Sequence, residues 1–99
     1  MGTQLEHELL DSLALKHPKK YKVYILNDDY TSMDFVVDIL MTIFHKTHEQ
    51  AESIMLEVHK QERGLCGLYT HEIAETKVMQ VSKKAKINGF PLKATMEEE

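Results

Sequence analysis

From Tyr21 to Leu26 apolar and polar positions alternate, Val23 and Ile25 against Lys22 and Tyr24, which is the period of a half-buried strand. The strand runs directly into Asn27-Asp28-Asp29-Tyr30-Thr31, so a set of hydrogen-bond acceptors is mounted on a rigid end. Beyond it the period lengthens. Phe35, Val36, Val37, Ile39, Leu40, Ile43 and Phe44 nearly encircle a helix expected from Met33 to His45, with Thr31 as N-cap ahead of Asp34. An element apolar on most faces belongs at the centre of its domain.

A second helix opens on the capping box of Thr47 and Gln50, keeps helical spacing through Ala51, Ile54, Met55 and Val58, and is expected to reach Lys60. Gly64 to Tyr69 is a short apolar run bounded by glycine and reads as a strand. Thr70 followed by Glu72 signals a third helix, with its inner stripe at Ala74, Val78, Val81 and Ala85. Asn88-Gly89 supplies its left-handed stop, and Pro91 forbids continuation. Leu92 to Met96 form a last strand.

The order strand, helix, helix, strand, helix, strand predicts an α+β domain in which a three-stranded antiparallel sheet packs against three helices. Residues 1–19 carry only a short stripe of Leu5, Leu9 and Leu13 before the Pro18 break, and are expected to form a flexible extension. The folded core is expected over residues 20–96, followed by a solvated acidic tail at 97–99.

Ninety-nine residues allow one hydrophobic core and little room for a deep enzyme cleft. The formal charge of −4, with no basic face interleaved with aromatics, argues against nucleic acid. No window is long or apolar enough for a bilayer span, a single cysteine excludes an internal disulfide, and no export signal is visible. A cytoplasmic monomer is expected.

The chemistry lies where the elements meet. On the second helix Met55 and His59 share one face, with Val58 beside them. If that face abuts the end of strand one, His59 joins Asn27 and Asp28 around a point, and Met33, Val36, Met55 and Val58 line an apolar hollow next to it. That arrangement suits an amphipathic cation. Each part also has a plainer reading: Asn-Asp-Asp as a turn, the methionines as core filler, His59 as a surface residue. His45 and His48 straddle a helix break without a third ligand, so no metal and no cofactor is expected. A small hydrolase or metal enzyme built on Asp28, Asp29 and Asp34 lacks a visible nucleophile. A structural interaction domain of the ribosomal stalk type is a third alternative.

Taken together, Asn27-Asp28-Asp29-Tyr30-Thr31, Met33, Phe35-Val36, Met55, Val58-His59, Cys66-Gly67, Ala74-Glu75-Thr76-Lys77 and Pro91-Leu92 resemble the ClpS adaptor family of the bacterial N-end rule pathway, over roughly Tyr21 to Met96. The resemblance implies a non-enzymatic, ATP-independent adaptor for proteins beginning with Leu, Phe, Tyr or Trp, delivered to a ClpA-type unfoldase and degraded by ClpP. It implies that Asn27, Asp28 and His59 meet the α-amino group, with Asp29 and Thr31 in support. Met33, Val36, Met55, Val58 and Leu92 would line the side-chain pocket, Met33 acting as its gate. Glu72 and Lys77 match positions that contact the unfoldase's N-terminal domain. Similar chains usually carry Pro at the position of Ser32 and Gly at that of Glu62. A left-handed Glu62 would cost about 1 kcal/mol or more, leaving Gly64 as the alternative residue for that turn.

Overall fold

The computed structural model describes residues 19–99; apart from Lys19, the expected N-terminal extension lies outside them. Six elements follow in the expected order: β1 Lys20–Leu26, α1 Met33–Thr42, α2 His48–Gln61, β2 Arg63–Thr70, α3 His71–Ile87 and β3 Lys93–Glu98. The first strand is the middle one. The sheet order is β2-β1-β3, and both neighbours run antiparallel to β1. Val23 and Ile25 are fully buried, as their alternation requires, and they pack with Ile39, Leu40, Ala51, Val58, Cys66, Ala74, Val81, Ala85 and Leu92 in one core.

The start of α1 departs from expectation. Its N-cap is Ser32, whose Oγ accepts from the Phe35 N–H at 3.2 Å, because Thr31 is engaged elsewhere: its N–H and hydroxyl both go to Asp28. The end also differs. The helix stops at Thr42 rather than His45, where the chain takes a positive φ of 54°. Lys77 Nζ reaches the Ile43 carbonyl at 2.6 Å, satisfying an acceptor that the helix end leaves open. Lys84 Nζ binds Asp38 at 2.8 Å and Thr42 Oγ1 at 2.9 Å, so α3 ties down the same end of α1 twice.

In α2 the capping box is complete, with the Thr47 hydroxyl accepting from the Gln50 N–H and the Gln50 side chain accepting from the Thr47 N–H. The helix ends on Glu62 at φ 71°, ψ −15°, so Glu62 itself supplies the left-handed turn and Gly64 does not. Gly64 serves a close approach instead. A Cβ there would meet Val58 Cγ2 at 2.6 Å and the Ile54 carbonyl at 3.1 Å, and its absence lets β2 lie against α2.

Thr70 begins α3 as expected but makes no side-chain cap bond. Ala74, Val81 and Ala85 are buried and Val78 is half-buried, matching the predicted stripe. Gly89 stops the chain at φ 78°, and Phe90 then packs on Phe35 with ring centroids 4.6 Å apart. The expected acidic tail is mostly strand. Glu97 and Glu98 pair with Lys22 and Tyr21 of β1, and their carboxylates reach Arg63 at 2.8 Å and Lys19 at 3.0 Å. Opposite charges along the edges make the extra pairing compatible with acidic residues.

Candidate functional site

The end of β1 meets α2 through a backbone bond beside the β1–β2 pairing. The Asn27 N–H, just past the last strand residue, donates to the Glu62 carbonyl at 2.8 Å, while Leu26 pairs with Arg63 next door. The end of β1 is therefore fastened to the C-terminus of α2. The helical turn carrying Val58 and His59 comes to lie beside Asn27 as a result.

The Asn27–Thr31 loop is organised by Asp28. Its Oδ1 accepts from the Tyr30 N–H at 2.8 Å and the Thr31 N–H at 2.6 Å, and its Oδ2 accepts from the Thr31 hydroxyl at 2.7 Å. Burial pushes this carboxyl's pKa upward, but the bonds from Thr31 and Tyr30 favour the charged form and hold it below the ordinary value. Asp28 is thus an ionised hub that shapes the loop, with little acceptor capacity left over. Asp29 is exposed, and its side chain makes no hydrogen bond among the described residues.

Around this loop the fold leaves a hollow of about 240 Å³, lined by Asn27, Asp28, Asp29, Thr31, Met33, Val36, Met55, Val58 and His59. Three elements supply it: the end of β1 with its loop, the first turn of α1, and the last turns of α2. Its lining joins a carboxamide, two carboxylates, a hydroxyl and an imidazole to two thioethers and two valines. The hollow is smaller than the ~300–1,000 Å³ usual for drug-sized ligands, a scale that suits a single side chain. A cation bearing one apolar group matches both sets.

Nine of the sequence-derived residues thus share one space. Leu92 does not line it; this residue is 3% exposed and lies in the core cluster instead. Glu72 and Lys77 lie apart from the hollow and from each other. Glu72 is exposed in the first turn of α3 beside Lys19, Tyr21 and His71, whereas Lys77 is half-buried in its bond to Ile43. Of the two residues the sequence offers for the turn after α2, Glu62 makes it at its strain cost, and Gly64, the alternative, serves the close approach to α2 instead. The part that no side-chain pattern announces is the Glu62 carbonyl, which accepts from the Asn27 N–H.

A larger depression of about 390 Å³ lies between the end of α1 and α3, but its Lys77 and Lys84 are occupied in joining those helices and it has no carboxylate in its wall. Cys66 is buried, and burial pushes its thiol up to about 12, which makes it a small apolar residue in the core rather than a nucleophile. Among the described residues no group of three or more His, Cys, Asp or Glu is placed to hold a metal ion, and no helix is long and apolar enough to cross a membrane.

The profile of the family described as "ATP-dependent Clp protease adaptor protein ClpS" matches residues 16–95. The chain belongs to the ClpS family. Its ClpS relatives include the ATP-dependent Clp protease adapter protein ClpS of Wolinella succinogenes, 50% identical over 97 residues, covering 98% of this chain and 95% of the relative. The protein of the same name from Desulfotalea psychrophila is 55% identical over 96 residues, covering 97% of this chain and 94% of the relative. Among solved structures, Agrobacterium tumefaciens ClpS2 bound to L-phenylalaninamide superposes with a TM-score of 0.81 at 36% identity, covering 84% of this chain and all of that one. The ClpS fold and the three-helix, three-stranded architecture described above are the same.

Proposed function

We propose that the hollow captures the first residue of proteins that begin with Leu, Phe, Tyr or Trp, and that the chain hands them to a ClpA-type unfoldase working with ClpP. The observation that carries this reading is the sharing of one small space by the acceptors Asn27, Asp28, Asp29 and His59 and the apolar wall of Met33, Val36, Met55 and Val58. It is supported by the bound ligand of the Agrobacterium relative, since phenylalaninamide joins a free α-amino group to a phenyl side chain.

The physics favours a chain start over an internal peptide unit. A free α-amino group, with a pKa of about 7.7–8.0, is largely cationic at neutral pH and offers three donors, where an internal amide offers one and no charge. Asn27 and the His59 imidazole accept from it. Asp28, with three of its lone-pair sites filled by the loop, contributes its charge and holds the shape through Thr31; Asp29 adds a second negative charge at the mouth. The apolar wall takes the first side chain, and Met33 crowds branched Val and Ile. Burial of a Leu or Phe side chain contributes roughly 1.5–3 kcal/mol, similar to a charge-assisted hydrogen bond, so tight capture needs both halves. Exposed Glu72 on α3 meets the unfoldase's N-terminal domain, and Lys77, its ammonium held by the Ile43 carbonyl, contributes at most the half-exposed part of its side chain. The adaptor acts as a cytoplasmic monomer, without ATP or cofactor of its own, its core at residues 20–96 following the extension at 1–19.

The test is a fluorescence titration with Phe-starting, Met-starting and N-acetylated Phe-starting peptides, without metal. Tight binding of the first alone is expected. Equal retention of the acetylated peptide would overturn the reading.

A further inference from the structure

The wall of the hollow is built on sulfur. Met33 and Met55 face the same space, and Met33, the first residue of α1, is 48% exposed while lining it. Met55, Met96 and the core residues are better covered. Thioethers at solvent-facing positions react with hydroperoxides, and the sulfoxide that results is polar and a strong hydrogen-bond acceptor. We propose that Met33 is an oxidation site through which a hydroperoxide closes the hollow to apolar side chains, a consequence that rests on the function proposed above.

The reaction is a two-electron oxygen transfer. The Met33 sulfur attacks the distal oxygen of the hydroperoxide, the O–O bond breaks, and an S–O bond forms. With hydrogen peroxide the departing hydroxide takes the proton of the transferred oxygen and leaves as water. Sulfur is oxidised and peroxide oxygen reduced, with no other reactant needed. The product shares the hollow with Asp28 and Asp29, so a further electron-rich oxygen joins a lining that is already negative, and the lining loses apolar surface that accepts a phenyl or isobutyl group. The modification is of the kind that methionine sulfoxide reductases reverse.

Met79 provides the internal control. It is 66% exposed, more than Met33, but it lies on α3 in a separate depression with Thr76, Gln80 and Lys83. Its oxidation is therefore expected without effect on the hollow.

The test treats the full chain with graded hydrogen peroxide, maps each methionine by peptide mass spectrometry, and titrates a fluorescent Phe-starting peptide at each step. Met33 and Met79 should oxidise ahead of Met55 and Met96, saturating peptide should slow Met33 but not Met79, and affinity should fall about tenfold as Met33 converts. Sulfoxide reductase should restore it. A Met79→Leu variant should keep the full peroxide response, and Met33→Leu, whatever its starting affinity, should lose it. Met33 reacting no faster than Met96, or unchanged affinity once Met33 is fully oxidised, overturns the inference while leaving the proposed function intact. An untreated chain that ignores the free-amine peptide overturns that function and the closing consequence together.

Discussion

Glu62→Gly should make this protein more stable. Glu62 sits at φ 71°, ψ −15°, a conformation in which a side chain's Cβ crowds the following carbonyl and costs roughly 1–2 kcal/mol. Glycine has no such penalty, although its freer unfolded chain returns about 0.5–1 kcal/mol of that gain. The Glu62 side chain is exposed and makes no hydrogen bond or ion pair among the described residues, so its removal forfeits nothing there. The useful bond at this residue, from the Asn27 N–H to the Glu62 carbonyl, belongs to the backbone and survives the change. The net gain is roughly 0.5–1 kcal/mol, which in a domain of this size raises Tm by about 2–8 °C. Urea unfolding should show a higher midpoint at an unchanged slope. Glu57→Gly, within the body of the helix, should instead lose about 0.5–1 kcal/mol under the same assay. A Glu62→Gly midpoint equal to or below that of the parent would refute the claim that strain is stored at this turn.

Gly64→Ala should destabilise by about 1–3 kcal/mol, because the new methyl meets Val58 Cγ2 at 2.6 Å; peptide titration should also weaken as Val58 is displaced, and wild-type values in both assays would contradict the close approach. Thr47→Ala removes the acceptor for the Gln50 N–H and should cost about 1 kcal/mol, read as a lower thermal midpoint; an unmoved midpoint would mean the box adds nothing to α2. The pH dependence of Asp28 has a definite sign. Its folded pKa is depressed below the ordinary 3.8, so its stabilisation is fully present above 3.8 and disappears as pH falls through the lower folded value. Melts of wild type and Asp28→Asn should therefore differ near neutrality and converge below pH 3.8, and a gap independent of pH would remove the ionised carboxylate as the organiser of the loop.

The elements most legible in the sequence were those whose signals act locally. Alternation placed Val23 and Ile25 inward, and the Thr47–Gln50 box fixed the start of α2, because both depend on residues only a few positions apart. Errors arose where a distant or competing partner intervened. Thr31 resembled the cap of α1, but its hydroxyl turns toward Asp28 as a donor, and Ser32 Oγ is the acceptor that caps the helix. The length of α1 was overestimated because its end is set by Lys77 and Lys84, about forty positions away along the chain. Glu97 and Glu98 are exposed as expected, but they extend the last strand, where Arg63 and Lys19 pair with them. At the site, helical spacing grouped Met55, Val58 and His59 correctly on one face. Leu92 had no periodic signal to tell an inward core position from a pocket wall, and the structure puts it in the core.

The junction at Asn27 and Glu62 has a consequence for damaged copies of the protein. Nothing in the linear order of the chain keeps residues 27 to 36 near residues 55 to 59; the pairing of β1 with β2, the Asn27–Glu62 amide bond and the packing of α1 on α2 do so together. A molecule that frays at this seam loses the hollow as a whole, because its walls come from segments that lie far apart along the chain.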